Sequence, residues 1–414
     1  MALLSVGVLT AIGFATVYIA LKSQISGGSL GYAVFFFGLY LVAHVVARFT
    51  VPLADPYLLP MAALLTAIGL TEIYRLGPSN AFRQGLWIVI GVAVFGATLF
   101  WLHGDYRVLE RYKYVFGVTA IFLLFLPLAP GLGETINGSR LWIHFGSLQF
   151  QPGELGKIAL IVFLAAYLRE KREVLAQGRL KDWGPLLVIW GGAMLVLFAT
   201  DDLGSALLYY GIFLAMLYVA TARLSFVAAA LGLFLVGSYA ISHATPHVQA
   251  RVNDWLDPYK HAETSGYQIL QSLYSIAHGG FGGTGLGHGI VTTPTGQQVV
   301  PDLNTDFIYS ALAQELGLIG AAALLLLYMA FVLRGFRIAL SASDGFSKLL
   351  AAGLSFSFAF QTFVIVGGIT RVIPLTGITL PFVSYGGSSV VANFLLVAGL
   401  LLISNRANRQ EAGA

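Results

Sequence analysis

The chain has 414 residues, of which 57% are hydrophobic and only 10% charged, with a formal net charge of +4 and no cysteine. Soluble domains carry about 25% charged residues, so a water-covered globular surface is excluded, and so is any disulfide framework. The charges are informative by position rather than by sum.

Long apolar runs recur from one end of the chain to the other. A helix needs about 20 apolar residues to cross roughly 30 Å of hydrocarbon, because backbone groups in lipid must be paired within the segment. Twelve spans are predicted, at about 4–22, 29–47, 57–74, 82–102, 114–130, 153–168, 184–199, 203–221, 224–243, 306–333, 346–368 and 378–404. The expected fold is therefore an all-α polytopic membrane protein. The first residues hold no basic n-region, and no small-residue cleavage site follows them, so the first run is read as a span rather than a signal peptide.

With the N-terminus placed in the cytoplasm, fifteen Lys and Arg fall on the cytoplasmic side, among them Arg107, Arg179, Lys181 and Arg337. Seven fall on the other side and Lys157 inside a span, which accounts for all 23. That asymmetry predicts cytoplasmic N- and C-termini.

Two segments on the opposite side are too long for simple turns: about 130–152, and the loop 244–305. The loop is not of low complexity. Its stretch from Tyr267 to Ala277 places Leu270, Leu273, Tyr274 and Ala277 on one helical face, which suits a short helix at the membrane surface or re-entering it.

Four blocks can carry chemistry. Residues 137–143 (Asn-Gly-Ser-Arg-Leu-Trp-Ile) precede 150–157 (Phe-Gln-Pro-Gly-Glu-Leu-Gly-Lys). Pro152 suits a first helical position, and Glu154 and Lys157 follow one turn apart inside a span. A snorkelling lysine explains them blandly. An anion site for a phosphate-bearing head group, with Arg140 just outside the membrane, explains them functionally. The second block, 200–205 (Thr-Asp-Asp-Leu-Gly-Ser), is either a solvated turn or an orienting element beside the first.

The third block is the long loop with its carboxylates Asp257, Glu263, Asp302 and Asp306, each a solvated acid or a base for a sugar hydroxyl. Its glycines at 279–287 fit a nucleotide fingerprint by spacing alone. A loop between spans lacks the βαβ setting that fingerprint needs, so positive φ or close backbone approach is expected instead. The fourth block, 370–377 followed by 380–389 (Leu-Pro-Phe-Val-Ser-Tyr-Gly-Gly-Ser-Ser), opens the last span. Such backbone is tolerated at membrane depth only where it is buried or lines a cavity.

Together these blocks resemble the SEDS family of cell-shape and division proteins (RodA/FtsW-like), over most of the chain from about 137 to 389. The resemblance implies a ten-span core at 51–414 and a two-helix N-terminal extension at 1–50. It implies an inverting glycosyltransferase of the bacterial cytoplasmic membrane, serving elongation or division. Such an enzyme polymerises lipid II on the outer face, releases undecaprenyl pyrophosphate and works with a class B penicillin-binding protein that crosslinks the peptides. Membrane lipids are the other expected partners; nucleic acid and organic cofactors are not expected.

By the same resemblance, Arg140, Gln151, Glu154 and Lys157 match blocks beside the family's cavity. Asp202, Tyr267, Gln268, Asp306 and the run 384–389, with Ser384 and Ser388, match its other motifs. Arg140, Lys157 and Arg371 are the cations available for a pyrophosphate.

The family's long loop often carries two Asp-Pro pairs, and an aspartate in this region is essential. The first pair is present as Asp257-Pro258, whereas His261 and Ala262 stand where the second would be. The base is therefore sought among Asp257, His261 and Glu263. A carboxylate is favoured over His261, with Asp257 ahead of Glu263, since it can also hold a divalent cation (Mg²⁺ or Mn²⁺) against the pyrophosphate. Two other readings remain open: a lipid II flippase or transporter, and a non-catalytic scaffold for the penicillin-binding partner. A secondary transporter would show two related halves, and none is visible.

Overall fold

The computed structural model describes residues 2–22, 27–136, 139–146, 148–176, 183–244, 246–292 and 298–412. Asn137 of the first block, and Arg179 and Lys181 of the cytoplasmic set, lie outside the described residues. Twelve helices match the twelve predicted spans: α1 (Ala2–Lys22), α2 (Gly27–Thr50), α3 (Leu58–Leu76), α4 (Pro78–Leu102), α6 (Lys113–Phe125), α7 (Pro152–Ala176), α8 (Gly184–Ala199), α9 (Leu203–Thr221), α10 (Leu224–Ala244), α13 (Ile308–Ser341), α14 (Gly345–Ile369) and α15 (Gly387–Ala412). Three shorter helices connect them: α5 (Val108–Arg111), α11 (Pro246–Leu256) and α12 (Tyr267–Gly279).

Local chemistry sets several helix starts. Pro78 and Pro152 stand at first helical positions, where a missing N–H costs nothing. Asp202 caps α9 by accepting the Ser205 N–H at 2.9 Å, and Asp344 caps α14 by accepting that of Ser347 at 2.9 Å. Aromatic residues such as Phe163, Tyr167, Phe358 and Phe394 fill the interior, while Phe49, Leu195 and Leu233 stay exposed on the bundle surface. An apolar surface of this kind suits contact with lipid.

The two ends of the bundle differ. At one end, Tyr106 meets Ser347 at 2.6 Å, Arg334 pairs with Asp55 at 2.7 Å, Arg406 pairs with Asp105 at 3.0 Å and the Leu53 N–H reaches Asn405 at 2.9 Å. The other end carries all four sequence blocks. Here β1 (Gly133–Ile136), β2 (Ser139–Phe145) and β3 (Leu148–Phe150) form an antiparallel sheet, in that order. The sheet adds to the helical expectation. Its signal was the alternation of Arg140, Trp142 and His144 with Leu141, Ile143 and Phe145.

One expectation is corrected. The last helix starts at Gly387, not near 378, because Pro374, Gly377, Pro381 and Gly386 keep the preceding chain out of a helix. That chain is nevertheless buried, with Leu380, Phe382, Val383 and Ser384 almost fully enclosed. The expected short helix is present as α12; its protein-facing side holds Ile269, Leu270, Ser272, Ser275 and Gly279, while Tyr274 and Ala277 are exposed. Close packing on α13 rather than apolar character selects that side: Ser272 bonds Ser310 at 2.6 Å, a contact only small residues allow.

The buried stretch before α15 depends on one glycine of α3. A Cβ on Gly69 would lie 2.3 Å from the Val383 carbonyl oxygen, so backbone meets backbone there. Gly69→Val should cost roughly 1–3 kcal/mol by overpacking, read as a lower unfolding temperature of the detergent-solubilised protein. An unchanged unfolding temperature would mean that this contact is not tight.

Candidate functional site

The four blocks converge at one end of the bundle. Lys157, buried on the second turn of α7, donates to Glu154 at 2.8 Å and to the Gln361 side-chain oxygen at 2.7 Å. Gln361 in turn donates to the Thr379 carbonyl at 2.8 Å, tying α14 to the non-helical chain before α15. The Gln151 N–H donates to the Ser388 hydroxyl at 2.6 Å, and the Tyr209 hydroxyl donates to the Gly153 carbonyl at 2.7 Å. Thus α7, α9, α14 and α15 are joined around the Glu154–Lys157 turn. The ammonium is satisfied by the protein itself, which is how a charge at this depth is tolerated.

From Glu154 the polar track runs on through Asp202, Arg251 and Asp306. Glu154 and Arg251 both act electrostatically on Asp202, and Arg251 faces Asp306 as well as Asp202. Arg251, on α11, also donates to the Thr376 carbonyl at 3.3 Å. A Cβ on Gly377 would sit 3.6 Å from Asp306 Oδ2 and 3.7 Å from Arg251 Nη2, so side chain and turn backbone crowd one spot. Burial pushes the Asp306 carboxyl up to about 7. Asp302 adds to that rise, and Arg251 and Thr305 oppose it. Burial likewise raises Asp202, against its bonds to Ser205, with Glu154 adding to the rise and Arg251 opposing it. Burial lowers Arg251, against the two aspartates.

Ser384 lies beneath this track. Its hydroxyl accepts the Leu380 N–H at 2.9 Å and donates to the Thr305 carbonyl, one residue before Asp306. The Tyr385 N–H donates to the Asn304 carbonyl at 2.8 Å. Gln84 of α4 closes the turn, donating to the Ser384 carbonyl and accepting the Gly386 N–H, both at 3.2 Å. The serine-rich run therefore braces the Asp306 segment.

The three proposed bases stand in a more open place. Asp257 begins a 3₁₀ turn after α11 and pairs with exposed Lys260 at 3.5 Å. Glu263 is exposed. His261 faces Asp254 at 3.2 Å, and Asp254 also accepts the Ser265 hydroxyl at 2.9 Å. Arg371, in a left-handed conformation, donates to the Trp255 carbonyl at 3.0 Å and the Leu256 carbonyl at 3.1 Å. The Trp255 indole N–H returns a bond to the Arg371 carbonyl at 3.0 Å. Arg371 thus fixes the chain just before Asp257. Arg140, on β2, donates to the Ala129 carbonyl at 3.2 Å. Tyr267 and Gln268 form the first turn of α12.

Sequence reasoning missed Arg251 and Gln361 as members of the track. Gln361 had a signal, a lone amide in the apolar run of α14. Arg251 resembled any loop cation. Among the described residues no three acids or histidines converge as a metal cage.

A model of the FtsW/RodA/SpoVE cell cycle protein family matches residues 47–410. The chain belongs to that family. It is 42% identical over 399 residues to the peptidoglycan glycosyltransferase RodA of Mycobacterium tuberculosis, covering 91% of this chain and 84% of that one. A solved structure described as a peptidoglycan synthase complex that coordinates polymerization and crosslinking matches with a TM-score of 0.71 and 28% identity, over 86% of this chain and 99% of that one. The rod shape determining protein RodA of Thermus thermophilus matches with a TM-score of 0.62 and 26% identity, over 85% and 97%. The matched residues begin at 47, near the end of α2.

Arg251 is the cation that Asp202 and Asp306 share. Removing one partner of a fully buried ionic set costs about 3–5 kcal/mol; Arg251 and the two aspartates are part-buried, so Arg251→Met should lower the unfolding temperature by less than that cost implies. Arg251→Met/Asp306→Asn should be less destabilised than Arg251→Met alone. Equal destabilisation in thermal melts would break the link between the two residues.

Proposed function

We propose that this chain is a peptidoglycan glycosyltransferase that joins lipid II disaccharide units on the outer membrane face and releases undecaprenyl pyrophosphate. The observation that carries the reading is the track of buried Lys157 and part-buried Glu154, Asp202, Arg251 and Asp306. Such a set of ionisable groups at a bilayer end marks a site, in a chain 42% identical to a named glycosyltransferase. Its ends fit the two demands of the reaction, a base for the acceptor and cations for the leaving group. A mostly apolar cleft of about 330 Å³ between α2, α3 and α4, lined by Tyr32, Phe36, Leu70 and Leu86 among others, supports the reading, since part of a lipid chain needs such a space.

Asp306 is the base that the environment favours. A general base works best with a pKa near the working pH, and Asp306 sits at about 7 beside a guanidinium. Its carboxylate takes the proton of the acceptor hydroxyl while that oxygen attacks the donor's anomeric carbon. The bond to undecaprenyl pyrophosphate breaks on the opposite face with its electron pair, giving inversion. Arg251 and Lys157 lower the cost of the pyrophosphate charge, and Arg140 stands at the rim. Asp257, His261 and Glu263 belong to the wall that Arg371 orders. The track offers three carboxylates, Glu154, Asp202 and Asp306; an Mg²⁺ or Mn²⁺ ion carried on the pyrophosphate needs only one or two of them beside the phosphates, and would neutralise the leaving group when bound. A class B penicillin-binding protein is the partner that would crosslink the product, and the termini lie in the cytoplasm.

Polymerisation kcat/KM should rise about tenfold per pH unit below about 7 and level off above it, because Asp306 must be ionised to accept a proton. Asp306→Asn should lose about 10² to 10⁴ in rate and flatten that limb, while Asp257→Asn, Glu263→Gln and His261→Ala stay within roughly threefold. If Asp257→Asn is folded yet as inactive as Asp306→Asn, the base is Asp257.

Orientation is checked separately, since the chain has no cysteine of its own. In intact cells Glu263→Cys should react with an impermeant thiol reagent, and Glu411→Cys only after permeabilisation. Labelling of both in intact cells would reject cytoplasmic termini.

A further inference from the structure

A second set of charges lies inside the bundle, apart from the track. Glu72 and Arg75 sit one turn apart on α3, and Glu315 lies on α13; all three are almost fully buried, Glu72 completely. The Arg75 guanidinium pairs with Glu315 and donates to the Gly289 carbonyl. The Glu315 carboxylate accepts the Gly287 N–H at 2.8 Å and the Gly289 N–H at 3.2 Å. Its backbone carbonyl takes the Gly285 N–H at 3.0 Å, and that of Gln314 takes the Thr284 N–H at 3.0 Å. One acid and one cation therefore hold the glycine-rich loop after α12 against two spans.

The helix is built to receive that loop. Gly317 interrupts α13 with φ +67°, and a Cβ there would fall 2.3 Å from the Gly283 nitrogen. Just past this break the Leu318 N–H donates to the Gly280 carbonyl at 3.0 Å. On its outer side the loop is covered by α1, since a Cβ on Gly287 would meet Ala20 at 2.6 Å.

Glu72 is the remaining piece. Neither of its oxygens meets a donor among the described residues, and the groups beside it are Glu315 and Arg75. A fully buried carboxylate without a donor is costly, and one guanidinium cannot neutralise two carboxylates. A proton on one of the two acids removes the surplus charge and supplies the missing donor together.

We infer that Glu72 is a neutral carboxylic acid hydrogen-bonded to Glu315. With Arg75 it completes a clamp that fixes the loop 280–289, and these three are positioning residues for glycosyl transfer. The clamped loop joins α12 to the strand of chain that ends at Asp306, and Glu315 lies on the helix that begins two residues after Asp306. Loosening the clamp therefore frees the base from both directions. The catalytic half of this inference rests on the proposed glycosyl transfer; the clamp itself does not.

The test uses the full chain with its penicillin-binding partner, and the variants Glu72→Gln, Glu72→Leu, Arg75→Met and Glu315→Gln. Amide hydrogen exchange over 280–289 reads the clamp, and lipid II kinetics read the positioning. Glu72→Gln keeps a neutral donor, so loop protection and kcat should stay within about twofold of the parent. Glu72→Leu and Arg75→Met should speed loop exchange at least tenfold and lower kcat at least tenfold, with KM within about twofold. Arg75→Met/Glu315→Gln, which carries no unpaired charge, should be no worse than Arg75→Met alone. The clamp is overturned if Glu72→Gln exchanges as fast as Glu72→Leu, or if Glu72→Leu leaves the loop protected. If exchange behaves as expected but no variant or parent polymerises lipid II, the clamp stands and the glycosyltransferase reading fails.

Discussion

The stretch from Thr370 to Gly386 has no helix to pair its backbone, yet it lies among membrane-spanning segments. In hydrocarbon each unpaired N–H or carbonyl costs several kcal/mol, so the bundle is organised around satisfying this segment. Tyr328 donates to the Pro381 carbonyl at 2.6 Å, Gln361 to that of Thr379, and Gln84 brackets the Ser384–Gly386 turn. Arg251 takes the Thr376 carbonyl, and Tyr385 reaches across to Asn304. Side chains from α4, α11, α13 and α14 are thereby committed to one strand of irregular chain. The same bonds hold the Asp306 segment in place, so support and site are one construction.

Charge inside the bundle follows a single rule with two outcomes. At Lys157 and at Arg75 a cation is met by a carboxylate and by oxygens of loops or amides, so each charge is paired within the protein rather than by solvent. Around Asp306 the matching is incomplete, with two part-buried aspartates around one guanidinium. Burial is what chiefly raises Asp306 toward neutral pH, with Asp302 adding to the rise and Arg251 only partly opposing it, which is the character the proposed base requires. The Glu72 pair is incomplete in the same arithmetic sense, but it lies where no substrate hydroxyl would be expected, so its proton serves to hold.

Much of this was legible in the amino-acid sequence. Twelve apolar runs gave twelve helices, because length and apolarity are local properties. Pro152 at the start of α7, and the capping Asp202, were readable for the same reason. The start of α15 was not, since Val383 and Leu380 are as apolar as any span residue and only a tertiary setting decides that they stay extended. The buried side of α12 went unread because serine and glycine, not leucine, make its closest contacts. Asp306 was visible as a motif residue, but the burial that raises its carboxyl beside Arg251 was not, because spacing does not encode it. Arg251 and Arg75 looked like ordinary loop cations until the fold set Arg251 between Asp202 and Asp306 and Arg75 against Glu315, all distant in the chain.

Polymerisation of lipid II, as opposed to its movement across the bilayer, is the claim on which the rest depends. The most direct measurement places the purified chain and its partner in vesicles with fluorescent lipid II, and follows two readouts in the same sample: glycan chains on a gel and accessibility of the fluorophore to an impermeant quencher. The account expects glycan chains, with the inner-leaflet pool of lipid II still protected from the quencher. Loss of that protection without any glycan chain would contradict it and return the protein to the role of a flippase.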